Sequence, residues 1–168
     1  MIKIPQPAMV WNAENVPDPK YKMWHSWTVA SNVDPAHACA WTAVVAKGHP
    51  DGKLKALVIN CHSSPASLGI GTGISIGQIG AFAQLSGLVT DIYIVGCNVV
   101  SFDGTALDGN LFCGAMAKAA GANVYASDSE QNPGVFWLAN AIPFGYIDGY
   151  EGRVWKWLPD GSNQLTEL

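Results

Sequence analysis

A chain of 168 residues, 49% of them apolar, is the size of one domain and can bury a substantial core of its own. Only 13% of the residues are charged, and the net charge is −4 with no Lys/Arg cluster, so a nucleic-acid footprint or a membrane-surface role has nothing to rest on. No apolar run reaches the roughly 18 to 20 residues of a membrane-spanning helix, and the first residues lack a basic segment followed by an apolar one.

Residues 1–22 show no sustained periodicity, and Pro5, Pro7, Pro17 and Pro19 interrupt any helix and most strands, so an irregular lead-in is expected. Residues 23–33, with Trp24, Trp27 and Val29 at or near alternate positions, read as a first strand. Asp34-Pro35 then supplies an N-cap followed by proline at the first helical position, and Gly48 stands where a stop belongs. The Ala-rich stretch 36–47 has high helix propensity, and Trp41, Val44 and Val45 offer an apolar face to lay on a sheet. After a turn at Pro50-Asp51-Gly52, the run Leu54-Lys-Ala-Leu-Val-Ile-Asn-Cys61 has the pattern of a buried strand in a parallel sheet.

Ser63-Ser64-Pro65-Ala66-Ser67-Leu68 reads as a loop, and Gly69-Ile-Gly-Thr-Gly-Ile-Ser-Ile76 as a short hairpin or extended excursion. The glycines do not make a phosphate loop, because neither G-x-G-x-x-G nor G-x-x-x-x-G-K-[ST] occurs. Residues 76–88 are the expected crossover helix, with Ile79, Phe82, Ala83 and Leu85 near helical spacing. Asp91-Ile-Tyr-Ile-Val-Gly-Cys97 is the next buried strand. A loop over 98–109, a helix over 110–120 stopped by Gly121, and a strand over 123–127 follow. The alternation predicts a single three-layer α/β domain spanning residues 1–168, its mainly parallel sheet flanked on both faces by helices. The tail, 144–158, reads as an antiparallel hairpin of 144–150 with 153–158, Trp155 and Trp157 sharing a face of its second strand.

Two side chains stand out on this frame. His62 and Cys97 sit at the carboxyl ends of two buried runs joined by a crossover, and such a crossover makes the strands parallel partners in one sheet. The rim outside the carboxyl ends of the strands is where ligands and chemistry collect in open α/β sheets. A thiol and an imidazole on that rim are a nucleophile and its base, since the thiolate attacks and a free thiol titrates near pH 8.5. Taken alone, Cys97 has a plainer reading as a small apolar residue at a strand end.

The remaining candidates have local explanations. Cys39, Cys61 and Cys113 are expected in the core, and four cysteines inside predicted elements fit a reduced compartment better than a disulfide scaffold. The expected location is cytoplasmic, or outside by a route without a cleaved signal peptide. His37 falls in the first turn of a helix and His49 beside Pro50; neither makes ligand spacing with the cysteines, so no metal and no cofactor is expected. His25, in Trp24-His-Ser-Trp27, is an auxiliary group if the first strand ends near the same rim. Asp103, Asp108, Asp128 and Asp148 are each able to line a pocket for a basic residue, and nothing in the sequence ranks them. Trp155 and Trp157 either pack in the hairpin or line a peptide groove.

Read together, His62-Ser-Ser-Pro65, Leu68-Gly-Ile, Val95-Gly-Cys-Asn-Val-Val100 and Gly121-Ala-Asn-Val-Tyr-Ala-Ser127 resemble the caspase-like (clan CD) cysteine peptidases. The nearest likeness is to the caspase-like domains near the start of large bacterial adhesin-type proteins, over roughly residues 54–130. The resemblance implies His62 as base, Cys97 as nucleophile and Gly96 as the small residue before it. It also implies an oxyanion-binding backbone N–H at Ser63, and attack on a carbonyl calls for such donors from Cys97 itself and from Ser63 or Ser64. The chain departs from the family at Ser63, where a glycine is usual and a positive φ would strain serine. The expected function is a cysteine endopeptidase that cleaves a specific protein or itself, with a protein or peptide as substrate. The alternative is a catalytically silent domain of the same fold serving as a binding or structural module.

Overall fold

The computed structural model describes residues 1–102, 104, 108–131 and 142–168. In chain order the elements are β1 (Ile2–Lys3), β2 (Ala8–Ala13), β3 (His25–Val29), α1 (Pro35–Lys47), β4 (Leu54–Asn60), β5 (His62–Ser64) and β6 (Ser67–Gly69). A 3-10 helix (Ile76–Leu85), β7 (Val89–Val95), α2 (Gly109–Ala120), β8 (Asn123–Ser127), β9 (Tyr146–Ile147), β10 (Val154–Trp157) and β11 (Asn163–Thr166) follow. Seven strands form the main sheet in the order β11-β10-β8-β7-β4-β2-β3. From β3 to β8 every pairing is parallel, and β10 and β11 extend that sheet antiparallel.

The expected lead-in over 1–22 is corrected by β2, a strand whose six residues are all buried between β3 and β4. Its prolines bracket the strand instead of interrupting it, and a strand covered on both faces shows no alternation to read. The first strand is shorter than 23–33, leaving Trp24 outside it and exposed.

The hand of parallel crossovers explains where the layers lie. The connections β3-α1-β4, β4 to β7 through the 3-10 helix, and β7-α2-β8 all step across the sheet in one direction, so right-handed crossovers put all three helices on one face. There Trp11, Leu57, Ile59, Ile92, Ile94 and Val124 meet Ala38, Ala43, Phe82, Phe112 and Met116. The connection from β2 to β3 steps the other way, so residues 14–24 cross the opposite face. Tyr21 and Met23 join Val10, Val58, Tyr93 and Tyr125 there, with Ile4 and Ile147 beside the β1–β9 ribbon. Helices on both faces were expected; among the described residues they occupy one face, and irregular chain with a two-stranded ribbon covers the other.

Local chemistry accounts for the helices. Asp34 caps α1 by accepting from the Ala36 N–H at 2.7 Å, with Pro35 at the first position. Asp34→Ala is expected to lower stability by about 0.5–2 kcal/mol, read by urea unfolding. Of the expected apolar face of α1 only Val45 packs against the core, half-buried; the buried face consists of Ala38, Cys39, Thr42, Ala43 and Ala46, and Trp41 and Val44 face solvent. Small residues admit the large Trp11 beneath them, whose indole N–H donates to Thr42 Oγ1 at 3.0 Å. The crossover over 76–88 is a 3-10 helix because its buried residues, Ile79, Phe82 and Leu85, recur every three positions, the period of that helix.

The tail hairpin is also corrected. Residues 144–150 do not pair with 153–158: β9 pairs with β1, while β10 lies between β8 and β11. The C-terminal hairpin is β10–β11, closed at Asp160-Gly161, where Gly161 takes φ 84° and Asp160 accepts from the Ser162 N–H at 2.8 Å. Trp155 and Trp157 do share one face, packed on the helix side of the sheet.

Candidate functional site

β4 and β7 are parallel neighbours, paired from Leu54↔Val89 to Asn60↔Val95, and the Cys61 N–H still donates to the Val95 carbonyl at 3.1 Å. His62 and Cys97 each follow the last paired residue of their strand by two positions, so both stand just past the carboxyl ends of adjacent strands. At that point the chain turns out of the sheet: β5 pairs with β6 as a hairpin, His62↔Gly69, Ser63↔Leu68 and Ser64↔Ser67. Leu68 anchors the hairpin in the core, and the Ala66 N–H donates to the Val99 carbonyl beyond Cys97 at 3.2 Å. The segment 63–68, expected as a loop, is mostly this hairpin.

The two reactive side chains have separate partners. His62 is exposed, and its Nε2 lies 3.3 Å from the Asn15 carbonyl at the exit of β2. Cys97 is half-buried, and its thiol donates to the Gln131 carbonyl at 3.3 Å. The Ser63 hydroxyl donates to the Cys97 carbonyl at 2.6 Å and locks the hairpin to the residue beside it. Ser63 lies in the extended strand β5, and the described non-glycine residues with positive φ are Ala66 and Asn98, so the strain foreseen at Ser63 does not arise. Ser64 is exposed.

Gly96 is fixed by this packing. A Cβ there would stand 2.4 Å from Ser63 Oγ and 3.0 Å from the Cys61 carbonyl oxygen. Gly96→Ala is therefore expected to cost about 1–3 kcal/mol, as overpacking does. The cost should be smaller in a Ser63→Ala background, where the nearest obstacle is gone; a double-mutant cycle by urea unfolding measures the coupling.

The far wall of the rim comes from the end of β8. The Asn98 N–H donates to the Ser129 carbonyl at 3.1 Å and the Val100 N–H to the Ser127 carbonyl at 3.4 Å, so the chain after Cys97 is tied to residues 127–131. That segment is clamped to residues 151–153. The Ser127 hydroxyl donates to the Glu151 carbonyl, and Gln131 Nε2 donates to the same carbonyl at 3.1 Å. Glu151 N–H donates back to Gln131 Oε1 at 3.1 Å, and Arg153 Nε reaches Asp128 Oδ2 at 2.7 Å. Burial raises the Asp128 carboxyl, but hydrogen bonds from the Arg153 guanidinium and backbone N–H, with the guanidinium charge, outweigh it, and Asp128 sits below the usual carboxylate range. Residue pattern did not point to Gln131 or Glu151; the polar run after β8 was the one available signal.

The four aspartates now separate. Asp108 caps α2, accepting from the Asn110 N–H at 2.8 Å and the Leu111 N–H at 3.3 Å, with its other oxygen on the Gly104 N–H. Asp148 faces Tyr21 on the side of the sheet away from the helices. Asp128 stands on the Cys97 rim but is paired with Arg153. Asp103 lies outside the described residues.

His25 is not an auxiliary group of this rim. It opens β3 opposite Met9, at the amino end of the sheet, where its Nε2 lies 2.8 Å from Nε2 of His49 and Trp24 stacks on the His49 ring. His37 lies edge-on to Trp27. Burial first, then the charge of His49, lowers the His25 pKa. Below about pH 6.5 the unfolded chain takes up protons that the folded chain refuses, so this contribution is present above that pH and lost as the pH falls through the depressed folded value. Urea midpoints should drop between pH 7 and pH 5, and less steeply in His25→Asn.

Among the described residues no helix is long and apolar enough to cross a membrane, and no group of three or more His, Cys, Asp or Glu side chains is placed to hold a metal ion. A cleft of about 380 Å³ lined by Asn12, Asp18, Lys20, Tyr21, Lys22 and Trp27, among others, opens beside β3 and includes neither His62 nor Cys97. Fold and site together define a mixed α/β domain with a seven-stranded, mostly parallel sheet that carries a histidine and a cysteine on the carboxyl rim of adjacent strands. Comparisons with protein-family models, curated proteins and solved structures find no match.

Proposed function

We propose that the chain is a caspase-like cysteine endopeptidase in which His62 and Cys97 form the catalytic dyad, cleaving a specific protein or the chain itself. The observation that supports this reading is the parallel pairing of β4 and β7, whose carboxyl ends His62 and Cys97 each follow by two residues. In the first step the Cys97 sulfur, relieved of its proton by His62, bonds to the scissile carbonyl carbon. Backbone N–H groups of Cys97 and of Ser63 or Ser64 receive the developing oxyanion. His62 then protonates the leaving amine as the C–N bond breaks, leaving a thioester. Water, deprotonated by His62, adds to the thioester and releases the acid and the free thiol.

Catalysis requires the His62 ring to leave the Asn15 carbonyl and the Cys97 thiol to leave that of Gln131, rearrangements that substrate binding brings about in many active sites. The same two contacts favour the second reading, a silent domain used as a module, since each reactive group is already satisfied by backbone. The deciding experiment is a protein mixture treated in parallel with the wild-type chain and with Cys97→Ala, and scored for new amino termini. Termini that appear with wild type alone support the peptidase; identical patterns leave the module.

A further inference from the structure

We propose that Gln131 is a positioning residue for the Cys97 thiol: its side-chain amide, clamped to the backbone of Glu151, holds its own carbonyl against the sulfur and keeps the thiol in a resting, proton-engaged state. The inference rests on the peptidase reading and names how that site is restrained. Three hydrogen bonds fix the amide, Nε2 to the Ser129 and Glu151 carbonyls and Oε1 to the Glu151 N–H, each at 3.1 Å. A glutamine held at both ends of its amide has little freedom, so the position of its carbonyl is inherited from residue 151. The other end of the segment is held by Asp128, which accepts from the Arg153 N–H at 3.1 Å and from its guanidinium at 2.7 Å. The segment also carries the Ser129 carbonyl that receives the Asn98 N–H, so the residue following the nucleophile is bound by the same clamp.

A thiol whose hydrogen is given to a carbonyl must give up that bond before it can hand the proton to an imidazole. Breaking one such bond is worth roughly a fivefold change in the population of the free thiol. Substrate entering the rim and pairing with the segment would supply the displacement, which makes engagement of the nucleophile dependent on occupancy.

The test uses Gln131→Met, which keeps the length of the side chain and removes all three amide bonds. The S–H stretching band that vanishes in Cys97→Ala is followed by infrared spectroscopy in the wild-type chain and in Gln131→Met. In parallel, the rate of iodoacetamide capture of Cys97 is read by peptide mass spectrometry. The expected result is a band moved to higher wavenumber and capture faster by roughly fivefold. Arg153→Ala, releasing the other end of the clamp, should act in the same direction, and Arg153→Lys should restore part of the wild-type behaviour. If Gln131→Met does not fold, Arg153→Ala and its lysine counterpart decide the matter with the same two readings. An unmoved band with unchanged capture overturns the proposal. Neither reading depends on turnover, so a clamp that behaves as expected beside an absence of Cys97-dependent cleavage would refute the peptidase and leave the restraint standing.

Discussion

At neutral pH, iodoacetamide should capture Cys97 before any of the other three cysteines, by at least two orders of magnitude in rate. The others are disabled by packing. Burial, with a smaller contribution from Asp34, pushes the Cys39 thiol up to about 12. Burial also takes Cys61 to about 12, the Gly69 hydrogen bond opposing it and the Cys97 charge adding to it, and fully buried Cys113 is raised further still. At pH 7 a thiol of pKa about 12 is ionised to the extent of about one part in 10⁵, and access through the core is a second barrier. Cys97 stands at a strand exit and is only half-buried. His62→Ala should slow its capture if the imidazole serves as the base. Cys97 labelling no faster than the rest would remove the peptidase reading together with its chemistry.

Cleavage should disappear in Cys97→Ala and fall by roughly 10²- to 10⁴-fold in His62→Ala, the usual worth of a positioned general acid–base group. Both variants should fold. Cys97→Ala removes one half-buried sulfur and one weak hydrogen bond, and His62 is exposed with a single contact to backbone. The measurement is release of new amino termini from a protein mixture, or from the chain itself, with urea midpoints recorded alongside. Cleavage that survives in Cys97→Ala assigns the activity elsewhere. Loss of cleavage in Gly96→Ala would be a weaker statement, because that substitution also displaces the Ser63 hydroxyl that holds the hairpin.

Part of the site was open to reading from sequence because its determinants are short-range. The apolar runs of β4 and β7 end at polar or glycine positions, and the intervening residues suffice for a crossover, so parallel pairing of the two strands and the shared rim follow from general topology. The contacts made by His62 and Cys97 do not follow, because Asn15 and Gln131 are 47 and 34 residues away from them. In sequence Asp128 is no different from the other three candidate acids; what sets it apart is Arg153, 25 residues further on, beside it in the fold.

The sequence by itself determined the elements whose causes are local: α1 through Asp34, Pro35 and Gly48, α2 through its stop at Gly121, and the strands β4, β7 and β8 through their β-branched and aromatic runs. Tertiary structure alone decided the rest. β2 became a buried strand because β3 and β4 supply its hydrogen-bond partners on either side, a condition no six-residue window contains. The choice of face on α1 was set by Trp11 beneath it, and the pairing of β9 with β1 instead of β10 by an apolar sheet face that needed cover. The clamp on residues 127–131 joins groups about 20 residues apart or more. Contacts of that span are chosen by which surfaces meet once the strands have paired, and the residues between them carry no record of it.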